Sequence, residues 1–440
     1  MSQEQAPHSS DNSFFASSPF RLVIFAPETI NETPAGPNIR AVALARELAK
    51  HFDTTLAIPN ESDLFHDEDF SVRLWSRHSA GKWLPEYNLV ISQGMQYSAL
   101  TCLRLAHRGV VQVFDLYTPV LLEQQQARKL FGYHKAASLP YLRRLTNLIL
   151  RHGNYFLCAS QQQRDLWLGA LYANGCLNDE AEMTASDRIG VVPFGHNGEK
   201  LRHTSQVLKG AHRGIGKDDH VLLWGGGLWD WFDPMTLLGA MAILREKRPD
   251  IKLFFMSTQR PEKQDVRPAM AQHAEKIARE LGLMDRTVFF NGGWIPFEKR
   301  SNYLLESDLA VCTAPDSLEN IFAFRTRLVD AIWARLPIIM TDGSALADFV
   351  RQHDLGFIVR PQDAVQLADR IERALEPEVQ QRFRDNMNHC RDLLRWNVCA
   401  QELIQYCKTV SSHSPVVRPL PFWKMWWTYG NYKIASLIEK

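Results

Sequence analysis

The chain has 440 residues, of which 45% are hydrophobic and 22% charged, and its 50 Lys and Arg nearly balance its 49 Asp and Glu. This composition is typical of a soluble globular protein, and a net charge of +1 gives no support to nucleic-acid binding. The length is too great for one ordinary core and favours two domains with appendages.

The cysteines and the N-terminal region indicate in which cellular compartment the protein is found. Seven scattered cysteines without a C-x-x-C pair indicate reduced thiols in the core rather than zinc or disulfides. Residues 1–19 are polar and lack a secretory pattern, so we predict a disordered extension there. No apolar run approaches the length of about 18 residues that a spanning helix needs. We therefore expect a cytoplasmic protein.

The first part of the chain alternates apolar runs with amphipathic segments. These patterns predict a parallel sheet covered by helices on both faces, in a Rossmann-like domain over residues 20–197. The predicted strands cover 21–26, 55–58, 89–91, 110–114, 155–159 and 189–192. The most regular helical patterns between them cover 39–51, 96–107, 140–152 and 161–173.

A polar, glycine-containing linker is predicted over 198–219, and a second Rossmann-like series follows over 220–376. Helices are expected over 377–410 and an aromatic amphipathic tail over 411–440. The fold class is therefore α/β, with two doubly wound domains facing a central cleft, and ligands should lie beyond the carboxyl ends of the strands. Strands of the second series are predicted at 220–224, 251–256, 287–290, 309–312, 337–341 and 357–359.

The segment 317–343 carries the most chemical information. It places Glu319, Arg325, Arg327 and Asp330 on a loop and on the helix that follows. Helix N-terminal amides and two guanidiniums suit phosphate oxygens, and the carboxylates can accept hydrogen bonds from sugar hydroxyls. This combination favours a nucleotide sugar.

The same segment resembles the donor-site signature of the retaining glycosyltransferases of family 4, which have the GT-B fold. In that family the helix reads roughly E-A-M-A-x-G-x-P-V-I, and residues 330–339 fill it, with Asp330 at the position of the second Glu. Ten residues separate Glu319 from Asp330, where the family has seven, and the longer loop contains Phe-Arg-Thr-Arg. The chain therefore looks like an atypical sub-branch, and the resemblance extends from about residue 20 to 376.

A glycine run follows the first strand of the second domain, where the family carries its donor loop. Gly225, Gly226 and Gly227 would let the backbone approach a diphosphate. The family usually places an Arg and a Lys soon afterwards, whereas this chain has Trp-Asp-Trp. Arg325 or Arg327 could supply the missing charge. A plain tight turn would also explain the glycines.

Other matching positions lie in loops. Gly36 and Arg40 stand where the family has a glycine-rich loop over the cleft, although a βα turn explains Gly36 as well. Asp115 follows a buried strand and could contact donor sugar or acceptor, or could form an Asx turn. Trp294 lies in a loop that borders the nucleotide base in the family.

The resemblance implies a hexosyltransferase-type, nucleotide-sugar-dependent enzyme that acts with retention on a glycan or lipid-linked acceptor, as in bacterial cell-surface polysaccharide or lipopolysaccharide assembly. No cofactor or metal is expected, because no metal-ligand spacing occurs. The implied catalytic residues are Glu319, Arg325, Arg327 and Asp115. The implied donor-binding residues are Gly225, Gly226, Gly227, Trp294, Thr326, Asp330, Gly36 and Arg40.

Two other functions remain open at this stage. The departures from the family pattern also fit a catalytically silent GT-B domain that acts as a sugar-binding or scaffolding partner. A nicotinamide-dependent oxidoreductase is disfavoured because neither glycine loop has the dinucleotide fingerprint.

The tail differs in composition from the rest of the chain. Seven Phe, Trp, Met and Tyr residues crowd positions 422–432, next to Lys424 and Lys433. Tryptophan and tyrosine favour membrane interfaces, and nearby basic residues attract anionic lipid. We predict that 418–440 docks on an anionic membrane surface at the inner face of the plasma membrane. Packing of the same aromatics on the N-terminal domain is the alternative.

Overall fold

The computed structural model describes residues 20–32, 34–61, 68–77, 79–131, 139–177, 188–259, 267–412 and 419–438. The predicted disordered extension, 1–19, lies outside the described residues. Two parallel sheets, each flanked by helices, account for most of the described chain. The predicted α/β class with two Rossmann-like units is confirmed.

The first sheet has the strand order β3-β2-β1-β4-β5-β6-β7, with all neighbours parallel. Its central strands are continuous apolar runs because helices cover both faces. The edge strand β3 is largely exposed and does not read as apolar, so the sequence analysis missed it. The strands are β1 (Arg21–Phe25), β2 (Asp53–Ile58), β3 (Ser71–Leu74), β4 (Leu89–Gln93), β5 (Val111–Asp115), β6 (Tyr155–Cys158) and β7 (Ile189–Val191).

The helices of this domain follow the predicted alternation. The first helix begins at Gly36, three residues earlier than predicted, since Pro37 has the fixed φ that suits a first turn. Asn38 is buried in that turn and bonds to the backbone of Glu28 and Thr29. The helices are α1 (Gly36–Ala49), α2 (Ala80–Trp83), α3 (Ala99–Arg108), α4 (Val120–Phe131), α5 (Leu139–His152) and α6 (Gln161–Ala173).

The second sheet has the order β10-β9-β8-β11-β12-β13 and is also parallel. Its strands are β8 (His220–Gly227), β9 (Ile251–Ser257), β10 (Val288–Phe290), β11 (Leu309–Cys312), β12 (Ile338–Thr341) and β13 (Gly356–Val359). Its helices are α7 (Pro234–Leu244), α8 (Ala269–Glu280), α9 (Arg300–Leu305), α10 (Leu318–Phe322), α11 (Arg327–Ala334), α12 (Ala345–Gln352) and α13 (Ala364–Ala374).

Strand order locates the ligand crevice in each unit. The direction of winding reverses between β1 and β4 in the first sheet, and between β8 and β11 in the second. Ligands of open α/β sheets bind at such a reversal, beyond the carboxyl ends of the strands. The segment that leads to Gly36 follows β1, and Gly225 to Gly227 end β8, so both predicted glycine loops lie at these positions.

Helix α14 (Pro377–Cys390) packs on the second domain, where Gln380 donates to Asp308 O. The helices after it return to the first domain and are α15 (Trp396–Cys399), α16 (Gln401–Ser412) and α17 (Phe422–Ile438). The Tyr406 ring stacks on Tyr155 at 3.9 Å, and Glu402 accepts a hydrogen bond from the Val191 amide. Among the described helices, none combines the length and the apolar character needed to cross a bilayer.

The tail helix α17 packs on α3. The Leu420 amide donates to Ala106 O at 3.0 Å, and Met425 is buried in the core of the first domain. The alternative prediction was that the tail packs on this domain. One face of the helix, which contains Met425, packs in that way. Its other face remains open, because Trp423 is 71% and Trp427 64% exposed.

Candidate active site

The glycines at the end of β8 form an irregular strand terminus. The register between β8 and β9 shifts between Trp224 and Gly227, so Gly225 and Gly226 lie in a bulge. Gly226 has a φ of 78°, a conformation that side chains disfavour, and a Cβ there would have nothing within 4 Å. The bulge therefore leaves open backbone facing the crevice.

Arg327 lies against this bulge from the start of α11. Its Nη2 donates to Gly227 O at 2.8 Å, and its Cβ is 3.8 Å from the position of a Cβ on Gly225. Its guanidinium is 4.3 Å from the centre of the Phe232 ring. Burial lowers the pKa of Arg327 to about 10. Its Nη1 is buried and has no hydrogen-bond partner within the described residues, so this nitrogen has donors that are still unused.

Arg325 has a different environment. Its Nη1 and Nη2 donate to the two carboxylate oxygens of Glu319 at 2.9 and 2.8 Å, and Nη2 also donates to Asn320. Both members of the pair are almost completely buried. Either arginine was predicted to bind the diphosphate. The structure pairs Arg325 with Glu319, and among the described residues only Arg327, of the two, has a buried nitrogen that makes no hydrogen bond.

Asp330 lies further along α11 and is not brought together with Glu319. Its Oδ2 accepts from Arg300 Nη1 at 2.9 Å. Burial raises the pKa of Asp330, and the charge of Arg300 acts in the opposite direction. The second predicted acidic residue therefore occupies its own ion pair.

The two domains meet at the predicted loops. A Cβ on Gly36 would lie 3.8 Å from Thr326 Oγ1, so these two predicted donor residues face each other across the cleft. The Phe297 amide also donates to Glu32 O at 3.2 Å. The cleft is closed at this point.

Arg40 and Asp115 form a buried ion pair in the first domain. Arg40 Nε and Nη2 donate to the Asp115 carboxylate at 2.6 and 3.1 Å, and Nη1 donates to Pro193 O. The side chains are 0% and 1% exposed. The sequence analysis predicted Arg40 to bind the donor and Asp115 to contact the donor sugar or the acceptor. The structure instead leaves them no exposed surface for such a contact, because each is the other's partner.

Trp294 lies in the loop after β10 and is partly buried. Its ring is 6.0 Å from Trp229, which is 6.0 Å from Trp231. The three indoles form an aromatic cluster beside the end of β8, where the family's usual basic residues are missing.

A cavity of about 190 Å³ lies between α4 and α10. The sequence analysis did not select its first-domain residues, because it named no helix over 120–131. Next to it, burial and the charge of Glu319 raise the pKa of Glu123 to about 8. The polar residues that line the cavity are Gln125, Gln126, Lys129, Asp316, Ser317 and Glu319.

Metal ligands were not predicted. Within the part of the chain that the structure describes, no three His, Cys, Asp or Glu side chains are grouped closely enough to hold a metal ion.

Comparison with known proteins bears directly on this site. Residues 219–377 match the family model described as glycosyl transferases, group 1. These residues form a group 1 glycosyltransferase domain. The matched range contains the β8 bulge, Arg327, the Glu319–Arg325 pair and Asp330. Comparison of the chain with curated protein sequences finds no match.

Solved structures resemble the chain over most of its length. Sucrose-phosphate synthase from Thermosynechococcus elongatus is 18% identical, covers 89% of this chain and 99% of its own, and has a TM-score of 0.67. HepE from Anabaena in complex with UDP and glucose is 15% identical, with 90% and 100% covered and a TM-score of 0.62. WaaG, a glycosyltransferase involved in lipopolysaccharide biosynthesis, is 14% identical, with 87% and 98% covered and a TM-score of 0.60. At such identities the likeness shows the GT-B fold.

Proposed function

We propose that this glycosyltransferase transfers a hexose from a nucleotide-sugar donor to a glycan or lipid-linked acceptor, with retention at the anomeric carbon. The observation that carries this proposal is the unpaired donor of Arg327 beside the open backbone of Gly226. A buried guanidinium without an anion is unfavourable, and a diphosphate would complete it. The UDP complexes of HepE, which has the same fold, are consistent with such a donor.

Stabilisation of the leaving group is the main contribution of the protein in this proposal. The nucleoside diphosphate leaves as an anion, and donors already oriented towards it lower the barrier. Arg327, the amides of the β8 bulge and the start of α11 near Thr326 are the groups available. The fixed positive charge of Arg327 does what a divalent cation does in other enzymes, so we propose transfer without a metal or other cofactor.

The carboxylates have separate tasks. Asp330 is assigned the ribose hydroxyls, since only one of its oxygens bonds to Arg300. Glu319 borders the cavity between α4 and α10 and is assigned a hydroxyl of the transferred sugar. Arg325 fixes Glu319. Trp294 and its loop are assigned the base.

Arg40 and Asp115 are assigned a positioning role instead of substrate contact. Their ion pair ties the end of β5 to α1, the helix that begins at Gly36. Loss of the pair would move both walls of the first-domain crevice.

The acceptor side of the proposal depends on the cavity. Amide, hydroxyl and carboxylate groups from both domains line it, and such groups bind sugar hydroxyls. A glycan end is therefore the acceptor class that we propose, within cell-surface polysaccharide assembly. The likeness to WaaG agrees with that setting.

The test is a panel of UDP- and GDP-sugars assayed for binding by calorimetry and for transfer to glycan acceptors. Arg327→Ala should reduce transfer by about 100-fold or more. Arg351→Ala, an exposed arginine of the same domain, is the matched control and should keep wild-type activity. Absence of nucleotide-sugar binding at millimolar concentration would instead support the silent scaffolding domain.

We further propose that the enzyme works as a peripheral protein on an anionic membrane. The open face of α17 presents large aromatic side chains, and such side chains prefer the membrane interface. Those more than 40% exposed are Phe422, Trp423, Trp426, Trp427 and Ile434.

The charge of the neighbouring helices also favours an anionic membrane as the partner of this surface. Helices α3, α5 and α17 contain no Asp or Glu, although the whole chain is nearly neutral. Arg144 of α5 donates to Ala435 O of α17, so these helices form one face. The exposed basic residues on it are Arg104, Arg108, Arg143, Arg151, Lys424 and Lys433.

Vesicle sedimentation tests this placement. The double variant Trp423→Ser/Trp427→Ser should lose binding to phosphatidylglycerol vesicles while it stays folded, because Met425 still packs inside. Tyr172→Ser, which removes an aromatic residue that is 75% exposed elsewhere, is the control. Equal sedimentation of all three proteins, or none by the wild type, would refute the proposal.

A further inference from the structure

Gln163 is a fully buried amide at the boundary between the two domains. It lies in the first turn of α6 and is 0% exposed. Its Oε1 accepts from the Ala159 amide at 2.7 Å. Its Nε2 donates to Tyr117 O in the first domain and to Phe322 O in the second, both at 2.7 Å. An amide nitrogen has two N–H groups, and here each domain takes one.

The carbonyl on the second domain belongs to a helix end. Phe322 is the last residue of α10, and the chain turns to extended backbone at Ala323. Carbonyl groups at a helix end lack partners within the helix. Gln163 supplies that partner from the other domain, three residues from Glu319.

The carbonyl on the first domain belongs to Tyr117, which lies next to the Arg40–Asp115 ion pair. Tyr117 follows β5 by two residues, and its ring lies 4.6 Å from the Arg40 guanidinium. Gln163 therefore links the segment of Asp115 to the segment of Glu319, although 204 positions separate those two residues in the sequence.

We propose that Gln163 is a positioning residue that holds α10, and with it Glu319, in register with the Asp115–Tyr117 segment when the cleft is closed. The proposal rests on the donor site described above. It adds that one buried amide, besides the surface contacts between the domains, couples Glu319 to the first domain. Gln163 touches no donor atom in this account and acts through the backbone at each end.

Gln163→Glu tests the proposal sharply. A carboxylate keeps the acceptor for the Ala159 amide but places an oxygen against two carbonyl oxygens. Gln162→Ala is the matched control, because Gln162 also reaches across the domains, to Asp348 Oδ2 at 3.0 Å, but at an exposed position.

Hydrogen exchange of the full-length protein is the measurement, with and without UDP. Gln163→Glu should raise exchange in residues 318–326 by about tenfold, whereas Gln162→Ala should not. The increase should shrink at acid pH, since a protonated carboxyl can again donate one hydrogen bond.

The outcomes separate the two proposals. Unchanged exchange in 318–326 overturns the role of Gln163, and so does an increase spread evenly over the chain. If Gln163→Glu fails to fold, Gln163→Met, which removes every polar atom without adding charge, replaces it; failure of both assigns Gln163 to the core. If wild-type protein does not bind UDP, the donor class proposed above loses its support, and the exchange comparison still decides the role of Gln163.

Discussion

Arg325 and Glu319 form a two-point ion pair, with both carboxylate oxygens bonded at 2.8–2.9 Å in a fully buried position. The pair lies next to Arg327, whose guanidinium has a buried nitrogen that bonds to none of the described residues. Two arginines separated by one residue therefore differ in what their removal should do. Loss of Arg325 leaves a buried carboxylate without its partner, whereas loss of Arg327 breaks no ion pair within the described part of the chain.

Arg325→Ala should destabilise the protein by about 3–5 kcal/mol, the usual effect of breaking a buried pair on one side. The double variant Glu319→Gln/Arg325→Met should be less destabilised than Arg325→Ala, because no charge is left unpaired. Urea unfolding measures both. Equal stability of Arg325→Ala and wild type would contradict the buried pair.

Arg327→Met should leave the free protein within about 1 kcal/mol of the wild type, because a desolvated charge is exchanged for an apolar chain of similar length. The same variant should lose the rise in melting temperature that UDP gives the wild type. Thermal scans with and without UDP test this. A retained UDP shift would remove Arg327 from the donor site.

Asp115→Ala should cost about 3–5 kcal/mol because it leaves Arg40 charged and buried. Asp53→Ala is the comparison, since Asp53 pairs with Arg21 at 3.4 Å on the surface, and should cost no more than about 1 kcal/mol. Chemical unfolding followed by circular dichroism separates the two. Similar losses would indicate that the Arg40 site is open to water.

Glu123 gives the stability a dependence on pH. Its pKa is raised from 4.5 to about 8, so the folded protein disfavours the charged form. Stability from this group is greatest below pH 4.5, falls as the pH rises towards 8, and is constant above that. Glu123→Gln removes the fall and should raise the melting temperature by about 3 °C at pH 8.5. At pH 4 the two proteins should have the same melting temperature. A higher melting temperature of Glu123→Gln at acid pH but not at pH 8.5 would contradict a raised pKa of Glu123.

Arg335 ends α11 in the left-handed conformation, with a φ of 55°. It stands where the helix pattern of family 4 has glycine, which adopts this conformation without strain. Arg335→Gly should therefore stabilise the protein by about 0.5–1 kcal/mol. Arg335→Ala keeps the Cβ and should give no such gain. Denaturant midpoints of the two variants decide the point.

The sequence predicted the strands well because buried parallel strands are continuous apolar runs, as in 309–312, which the structure reproduces. It missed α10, since five residues are too few for a helical period. It could also place Arg325 and Arg327 at the site without separating their roles. That difference depends on the rotation of the chain between Phe322 and Arg327, which brings one guanidinium to Glu319 and the other to Gly227.

Contacts between residues far apart in the chain could not be predicted from the sequence. Arg40 was selected as a donor contact and Asp115 as a contact to donor sugar or acceptor, because nothing local indicates that they neutralise each other. Gln163 was not selected, since a glutamine after a helix cap reads as solvent-facing. The tail was predicted both to dock on a membrane and, alternatively, to pack. The structure contains the packing, and the docking stays a prediction.

Met425 joins the last helix to the core of the first domain, where Cys102 and Leu103 belong to the same cluster. During synthesis this core stays incomplete until the ribosome has made residue 425. A nascent first domain would expose the apolar surface of α3 that α17 later covers. The basic, aromatic face formed by α3, α5 and α17 consequently assembles only after both domains have been synthesised.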